Sequence, residues 1–167
     1  MRRIPWKKLA EPDPNHRYAV SVGAFVVDRP RNLPAFLLHS LRVRRTVRRS
    51  PGMVGFALIP SFRRRTFTEI AAFESREAMR AFGSTPEHAA AIKAMLPHMA
   101  PGSKMVSIEL YGRDLPPRPE VAKAALEATP GVEELGGRPG QGLDGPHSDH
   151  TARTYEGPSG LGVPRAG

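Results

Sequence analysis

His88 is the first of two side chains in the sequence that could carry proton-transfer chemistry. It lies in the alanine-rich stretch TPEHAAAIKAML, where the i, i+4, i+7 spacing puts it on one helix face with Ile92 and Met95. A neutral imidazole on an apolar face can act as a general base or as a metal ligand. It can equally cap the start of the helix or pack against its neighbours. We predict a catalytic role for His88, with packing as the alternative.

Glu69 is the second candidate, in the stretch TFTEIAAF. Strict alternation along a strand places its side chain on the same face as Phe67, Ala71 and Phe73. A carboxyl group beside phenylalanine rings is poorly hydrated, so its pKa rises and it can act as a base near neutral pH. The alternative is an exposed edge position, or a salt bridge to one of the arginines at positions 63–65.

Aromatic side chains could supply the walls of a binding pocket for a hydrophobic ring. We predict substrate-binding roles for five residues: Phe56, Phe67, Phe73, Tyr111 and His39. Of these, His39 lies near the apolar side of the first predicted helix. Ordinary core packing is the alternative for each of the phenylalanines.

The elements that must position these residues follow the order β-α-β-β-α-β. Valine-rich and aromatic runs predict strands at 17–27, 53–59, 66–73 and 104–112, and apolar periodicity predicts helices at 34–49 and 86–96. Ser75 precedes a further short helix at 76–82, and the run Ser84-Thr85-Pro86-Glu87 predicts a capping box. This order is typical of the ferredoxin-like α+β sandwich.

Composition along the chain predicts three regions. Residues 1–16 contain three prolines and no periodicity, which indicates an irregular arm. Residues 17–112 form the ferredoxin-like domain. Residues 113–167 are rich in proline and glycine, with one possible helix at 119–128, and we expect a disordered tail beyond it.

The first two strands predict that both faces of the sheet are buried. Both read as nearly continuous apolar runs, AVSVGAFVV and MVGFALI, instead of alternating with polar residues. Two helices cover only one face of such a sheet. We therefore expect a homodimer in which the second face packs against a second copy, and the alternative is that the proline-rich C-terminal tail covers it.

The charge of the chain is uneven. The formal net charge is +9, residues 1–65 carry +12, and two arginine-rich runs, RVRRTVRR and FRRR, dominate that half. A basic surface invites nucleic acid, but few aromatic residues lie among the arginines, so we expect a solvated face and no nucleic-acid partner. The chain has no cysteine and its longest apolar stretch, 53–59, is far below the roughly 20 residues of a membrane span. We expect a cytoplasmic protein with no membrane partner.

The segment from 48 to 96 resembles the dimeric α/β-barrel superfamily, and the resemblance covers roughly residues 17–112. That superfamily includes antibiotic biosynthesis monooxygenases, haem-degrading monooxygenases and relatives of spheroidene monooxygenase. The resemblance lies in the PG pair before the second strand, the TF…E strand, the AMRAF helix and the STPEH helix start. It implies a pocket between sheet and helices, and a reaction that needs no metal or flavin in some members. In the haem-degrading members a helix histidine binds iron, in the region that His88 occupies.

Together these features predict a small monooxygenase-like protein that acts on or binds a hydrophobic or aromatic metabolite. We expect no cofactor, with haem on His88 as the alternative. Two other functions stay open: a non-catalytic small-molecule-binding or dimerisation protein of the same fold, and a basic nucleic-acid-associated protein.

Overall fold

The computed structural model describes residues 4–128, which contain five strands and four helices. The strands are β1 (Lys7–Lys8), β2 (Arg17–Val26), β3 (Met53–Ser61), β4 (Thr66–Phe73) and β5 (Lys104–Tyr111). The helices are α1 (Leu33–Val47), α2 (Arg76–Gly83), α3 (Pro86–Met95) and α4 (Pro119–Glu127). The tail that the sequence predicts to be disordered beyond α4 lies outside the described residues. Within those residues, no helix combines the length and apolar character needed to span a membrane.

The strands form one antiparallel sheet in the order β1-β3-β4-β2-β5. β2 and β4 occupy the centre, and the two-residue strand β1 extends the sheet beyond β3. From β2 onward the chain follows the predicted β-α-β-β-α-β order, with α2 and α3 together between β4 and β5. The fold is therefore an α+β ferredoxin-like sandwich, as the sequence predicts.

One face of the sheet packs against α1, α2 and α3. Its core is dominated by phenylalanine, and the rings of Phe36 and Phe67 lie 4.8 Å apart while those of Phe73 and Phe82 lie 5.6 Å apart. Such tilted ring pairs add to the free energy gained by burying the rings themselves. We call this side the helix face.

The opposite side of the sheet, here the arm face, is covered by both ends of the described chain. Its core includes Tyr18, Val20, Val22 and Ile70, against which α4 packs through Ala122. Ile4 and Trp6 of the N-terminal arm pack against the same cluster. The C-terminal region thus covers part of this face through α4, as the alternative predicted, and the arm adds to that cover. The homodimer stays a prediction.

The arm is more regular than the sequence predicts. The arm pairs with β3 through β1. The backbone N–H of Asp13 donates to the Tyr18 hydroxyl at 2.9 Å. The carbonyl of His16, at the end of the arm, accepts from the N–H of Gly112 at 3.0 Å. The ring of Trp6 occupies the space directly over Gly55, so that a Cβ atom at position 55 would overlap the indole. The glycine is what lets the arm lie flat on β3.

Candidate active site

A small cavity lies on the helix face, between α1, α3 and the central strands. Its volume is about 40 Å³, and most of its lining is apolar, from side chains such as Phe36, Val43 and Met95. Four polar residues also line it: Ser40, Arg44, Glu69 and His88. The two candidates for proton transfer, one from a strand and one from a helix, therefore border the same space.

Glu69 reaches the cavity from the middle of the sheet. β4 is a central strand, and Glu69 is paired across it with Gly23 of β2 and Leu58 of β3. Its carboxyl group has no hydrogen bond or ion pair within residues 4–128, and in particular none to the arginines at 63–65. Glu69 is half-buried. Because this burial removes water without supplying a partner, the pKa of Glu69 rises from its ordinary 4.5 to about 7.

His88 is held at the start of α3. The predicted capping box is wrong by one residue: Thr85, not Ser84, is the N-cap, and its hydroxyl accepts from the backbone N–H of His88 at 3.4 Å. The imidazole packs against the ring of Phe82 at 4.6 Å. Its Nδ1 lies 3.1 Å from the carbonyl oxygen of Gly83. Since a carbonyl oxygen only accepts, Nδ1 carries the proton and Nε2 keeps its lone pair.

The environment of His88 favours the neutral ring. Burial lowers the pKa of His88, and the hydrogen bond to Gly83 opposes that effect in part. At neutral pH the cavity thus contains an uncharged imidazole and a carboxyl group close to its half-ionised point. A base whose pKa lies near the working pH combines a useful ionised fraction with useful strength. The pair is therefore suited to moving one proton.

Haem does not fit this cavity. Sites for cofactors and drug-sized ligands measure about 300–1,000 Å³, and the cavity measures about 40 Å³. The described residues also contain no group of three or more side chains suited to hold a metal ion.

The predicted substrate-binding residues are mostly elsewhere. Phe56 lines the cavity, whereas Phe67 and Phe73 are 0% and 1% exposed and fill the core. Tyr111 lies on edge strand β5, between the guanidinium groups of Arg17 and Arg113. His39 is on α1 but not in the lining. Of these five residues, Phe56 alone lines the cavity together with Glu69 and His88.

Two lining residues were missed from the sequence, Ser40 and Arg44. The guanidinium of Arg44 lies over the ring of Phe56, 5.5 Å from its centre, and the Ser40 hydroxyl donates to the Phe36 carbonyl at 2.9 Å. Positions 36, 40, 43 and 47 follow helical spacing and all line the cavity. That stripe on α1 was the signal that could have identified Ser40.

The arginine-rich runs lie at the surface. Arg42, Arg45 and Arg49 of α1 are exposed, as are Arg63 and Arg64 in the turn after β3. Within residues 4–128 none of these five forms an ion pair. None of these five lines the cavity, whereas Arg44 of the first run does.

Comparison with known proteins shows the fold. No protein-family model matches the chain, and no curated protein matches it in sequence. Among solved structures, a candidate monooxygenase from Fusobacterium nucleatum matches with a TM-score of 0.54 at 16% identity, over 61% of this chain and 46% of its own. The chain therefore shares the fold of this structure.

Two further structures agree with this fold. A candidate monooxygenase from Lactobacillus acidophilus matches with a TM-score of 0.51 at 13% identity, over 59% of this chain and 46% of its own. A protein described as an antibiotic biosynthesis monooxygenase matches with a TM-score of 0.50 at 13% identity, over 54% of this chain and 95% of its own. The chain thus spans less than half the length of the first two proteins. At these identities the likeness shows the fold alone.

Proposed function

We propose that the chain is a small monooxygenase-like enzyme that removes a proton from an acidic carbon of a hydrophobic, aromatic metabolite, with Glu69 as the base. The observation that supports this most directly is the unpartnered carboxyl group of Glu69 in an apolar cavity, with a pKa of about 7. The monooxygenase descriptions of the structural neighbours suggest the reaction class. The proposal includes action in the cytoplasm on a product of secondary metabolism.

The chemistry requires only a base and dioxygen. In an anthrone-like substrate, Glu69 takes one proton from the ring CH₂ group and leaves a delocalised carbanion. Dioxygen then oxidises that carbon: one oxygen atom becomes the new carbonyl, and the other leaves as water with the two hydrogens of the CH₂. His88, neutral with a free Nε2, is placed to accept a proton or a hydrogen bond at the other wall of the cavity.

The size of the cavity sets a condition on this reaction. A water molecule takes about 30 Å³ of liquid volume, so a cavity of about 40 Å³ holds a water or a dioxygen molecule but not a fused ring. A ring substrate needs α1 and α3 to separate, and Val43 of α1 and Ile92 of α3 are the side chains that would have to give way.

Oxygen consumption by the purified chain with an anthrone tests the proposal. We expect Glu69→Gln to lower kcat by a factor of about 100 or more, because general-base catalysis contributes about 10²–10⁴-fold. Glu74→Gln is the matched control, since Glu74 follows the same strand but is exposed. Ile92→Ala enlarges the cavity, so it is expected to lower KM for the anthrone.

Two results would count against the enzyme. Equal rates for Glu69→Gln and Glu74→Gln would remove Glu69 from the reaction. No oxygen consumption across several aromatic substrates, in the parent chain and in Ile92→Ala, would favour the second candidate, a non-catalytic binding protein of the same fold. The specific observation that favours this second candidate is the small volume of the cavity.

Dimerisation is part of the proposal and has its own test. The arm face is already covered by α4 and the arm, so a dimer through the sheet requires these segments to move or another surface to be used. Light scattering on the purified chain distinguishes a monomer of 18.2 kDa from a species of twice that mass.

A further inference from the structure

The arm face contains a second and much larger space. A groove of about 350 Å³ lies between the sheet, the start of the arm and α4. Its apolar walls come from Ile4 of the arm, Ile59 and Ile70 of the sheet, and Leu126 of α4. This volume lies within the range of small-molecule sites, about 300–1,000 Å³. Neither the fold nor the proposed reaction assigns it a ligand.

Amino groups border this apolar groove. Lys104 of β5 and Lys123 of α4 line it together with Glu127, which gives the charged lining one net positive charge. Lys123 and Glu127 form an exposed pair at 3.6 Å. The ammonium group of half-buried Lys104 has only a long hydrogen bond, 3.4 Å, to the Leu126 carbonyl. Lys104 is therefore the cation that is available to an incoming anion.

Thr68 adds an uncharged polar group. Its side chain lines the groove, and its hydroxyl makes no hydrogen bond within residues 4–128. Hydroxyl and ammonium donors beside an apolar wall match a ligand with a hydrocarbon body and an anionic end, because both parts then find their preferred surroundings.

We propose that this groove binds a medium-chain carboxylate, with its hydrocarbon chain against the isoleucines and Leu126 and its carboxylate on Lys104 and Thr68. One water molecule takes roughly 30 Å³ of liquid volume, so a groove of about 350 Å³ has room for about twelve groups of that size. Decanoate has a similar number of heavy atoms. The site is separate from the candidate active site, because Thr68 and its neighbour Glu69 point to opposite faces of β4.

Binding of decanoate to the full chain, below its micelle concentration, tests the proposal. Calorimetry gives the affinity, and the fluorescence of Trp6, the single tryptophan and part of the arm-face cluster, reports binding independently. We expect one decanoate per chain. We expect decanol, which has the same hydrocarbon chain but no charge, to bind about tenfold more weakly.

Two lysine variants decide whether the groove is the site. Lys104→Gln is expected to lower decanoate affinity about tenfold and leave decanol unaffected, whereas Lys93→Gln, an exposed lysine of α3, is expected to change neither. Thr68→Val is expected to lower decanoate affinity about threefold. The proposal is overturned if the parent chain shows no decanoate binding up to 1 mM (roughly, the weak end of ligand affinities). It is equally overturned if Lys104→Gln and Lys93→Gln have the same decanoate affinity, or if the stoichiometry is one decanoate for two chains.

Discussion

The two faces of the sheet share the same strands but differ in how they are filled. Three helices and a set of interlocking phenylalanines pack the helix face so closely that its cavity measures only about 40 Å³. On the arm face, a single nine-residue helix and a short arm leave a groove of about 350 Å³. The smaller space holds the carboxyl group with the raised pKa, and the larger space is bordered by lysines. The larger groove and the side chains suited to proton transfer therefore lie on opposite faces of the same sheet.

The sequence of β4 produces this separation directly. Neighbouring side chains on a strand point to opposite faces, so Thr68 lines the groove and Glu69 lines the cavity. The difference between the two faces shows that burial alone does not make a binding site. A face covered by several helices can bury a carboxyl group and shift its pKa, whereas a face covered by one short helix keeps enough room for a ligand.

The largest expected effect compares core truncations on the two faces. Phe67 is completely buried among other aromatic rings, so Phe67→Ala is expected to lower the free energy of unfolding by about 3–5 kcal/mol. Leu126 is only partly buried and borders open space, so Leu126→Ala is expected to cost about 1 kcal/mol. Urea unfolding measures both. Equal losses would contradict the different packing of the two faces.

The second prediction concerns pH. Between 4.5 and about 7 the folded chain keeps a proton on Glu69 that the unfolded chain has released, so its stability falls as the pH rises through this window. The rise of the Glu69 pKa from 4.5 to about 7 corresponds to a loss of about 3 kcal/mol at pH 8. We expect Glu69→Gln to unfold at higher urea than the parent chain at pH 8, and at nearly the same urea at pH 4.

An exposed carboxylate provides the control for this pH series. Glu74→Gln is expected to change the free energy of unfolding by less than about 0.5 kcal/mol at both pH values. If Glu69→Gln were as neutral as Glu74→Gln at pH 8, the carboxyl group would be well hydrated and the cavity would lose its proposed base.

The smallest expected effect comes from a substitution under the N-terminal arm, and it tests whether the arm covers the arm face. Gly55→Ala places a methyl group where the Trp6 ring lies, so the arm must shift, at an expected cost of about 1–3 kcal/mol. Trp6 would then be more exposed, and its fluorescence emission should move to longer wavelength. Unchanged emission would mean that the arm does not lie on β3 in solution. Gly83→Ala is a suitable control, because no atom lies within 4 Å of the added methyl position.

Local patterns in the sequence were sufficient to predict the order of the strands and helices. The apolar runs of β2 and β3 and the cap before α2 depend on neighbouring residues only, and Ser75 indeed accepts from the backbone N–H of Ala78 at 3.1 Å. Strict alternation also placed Glu69 correctly on the face of Phe67 and Phe73. The helical spacing placed His88 beside Ile92 and Met95 in the same lining.

Features that depend on packing between distant segments were not predictable in this way. An apolar arm face was apparent from β2 and β3, and the C-terminal part of the chain was one of two covers that the sequence left open. Nothing local indicated that Ile4 and Trp6 of the arm would also cover it. Whether a phenylalanine lines a cavity or fills the core depends on the side chain that packs against it from another element. Phe67 is paired with Phe36 across 4.8 Å and leaves no room for a ligand.

Titration of the Glu69 carboxyl group tests the central claim most directly. The side-chain carboxyl carbons of the ¹³C-labelled chain are followed by NMR from pH 3 to pH 9, and the resonance missing from Glu69→Gln identifies Glu69. We expect a midpoint near pH 7, because the group is buried without a partner. A midpoint near 4.5 would show a hydrated carboxylate and would contradict the assignment of the helix-face cavity as a proton-transfer site.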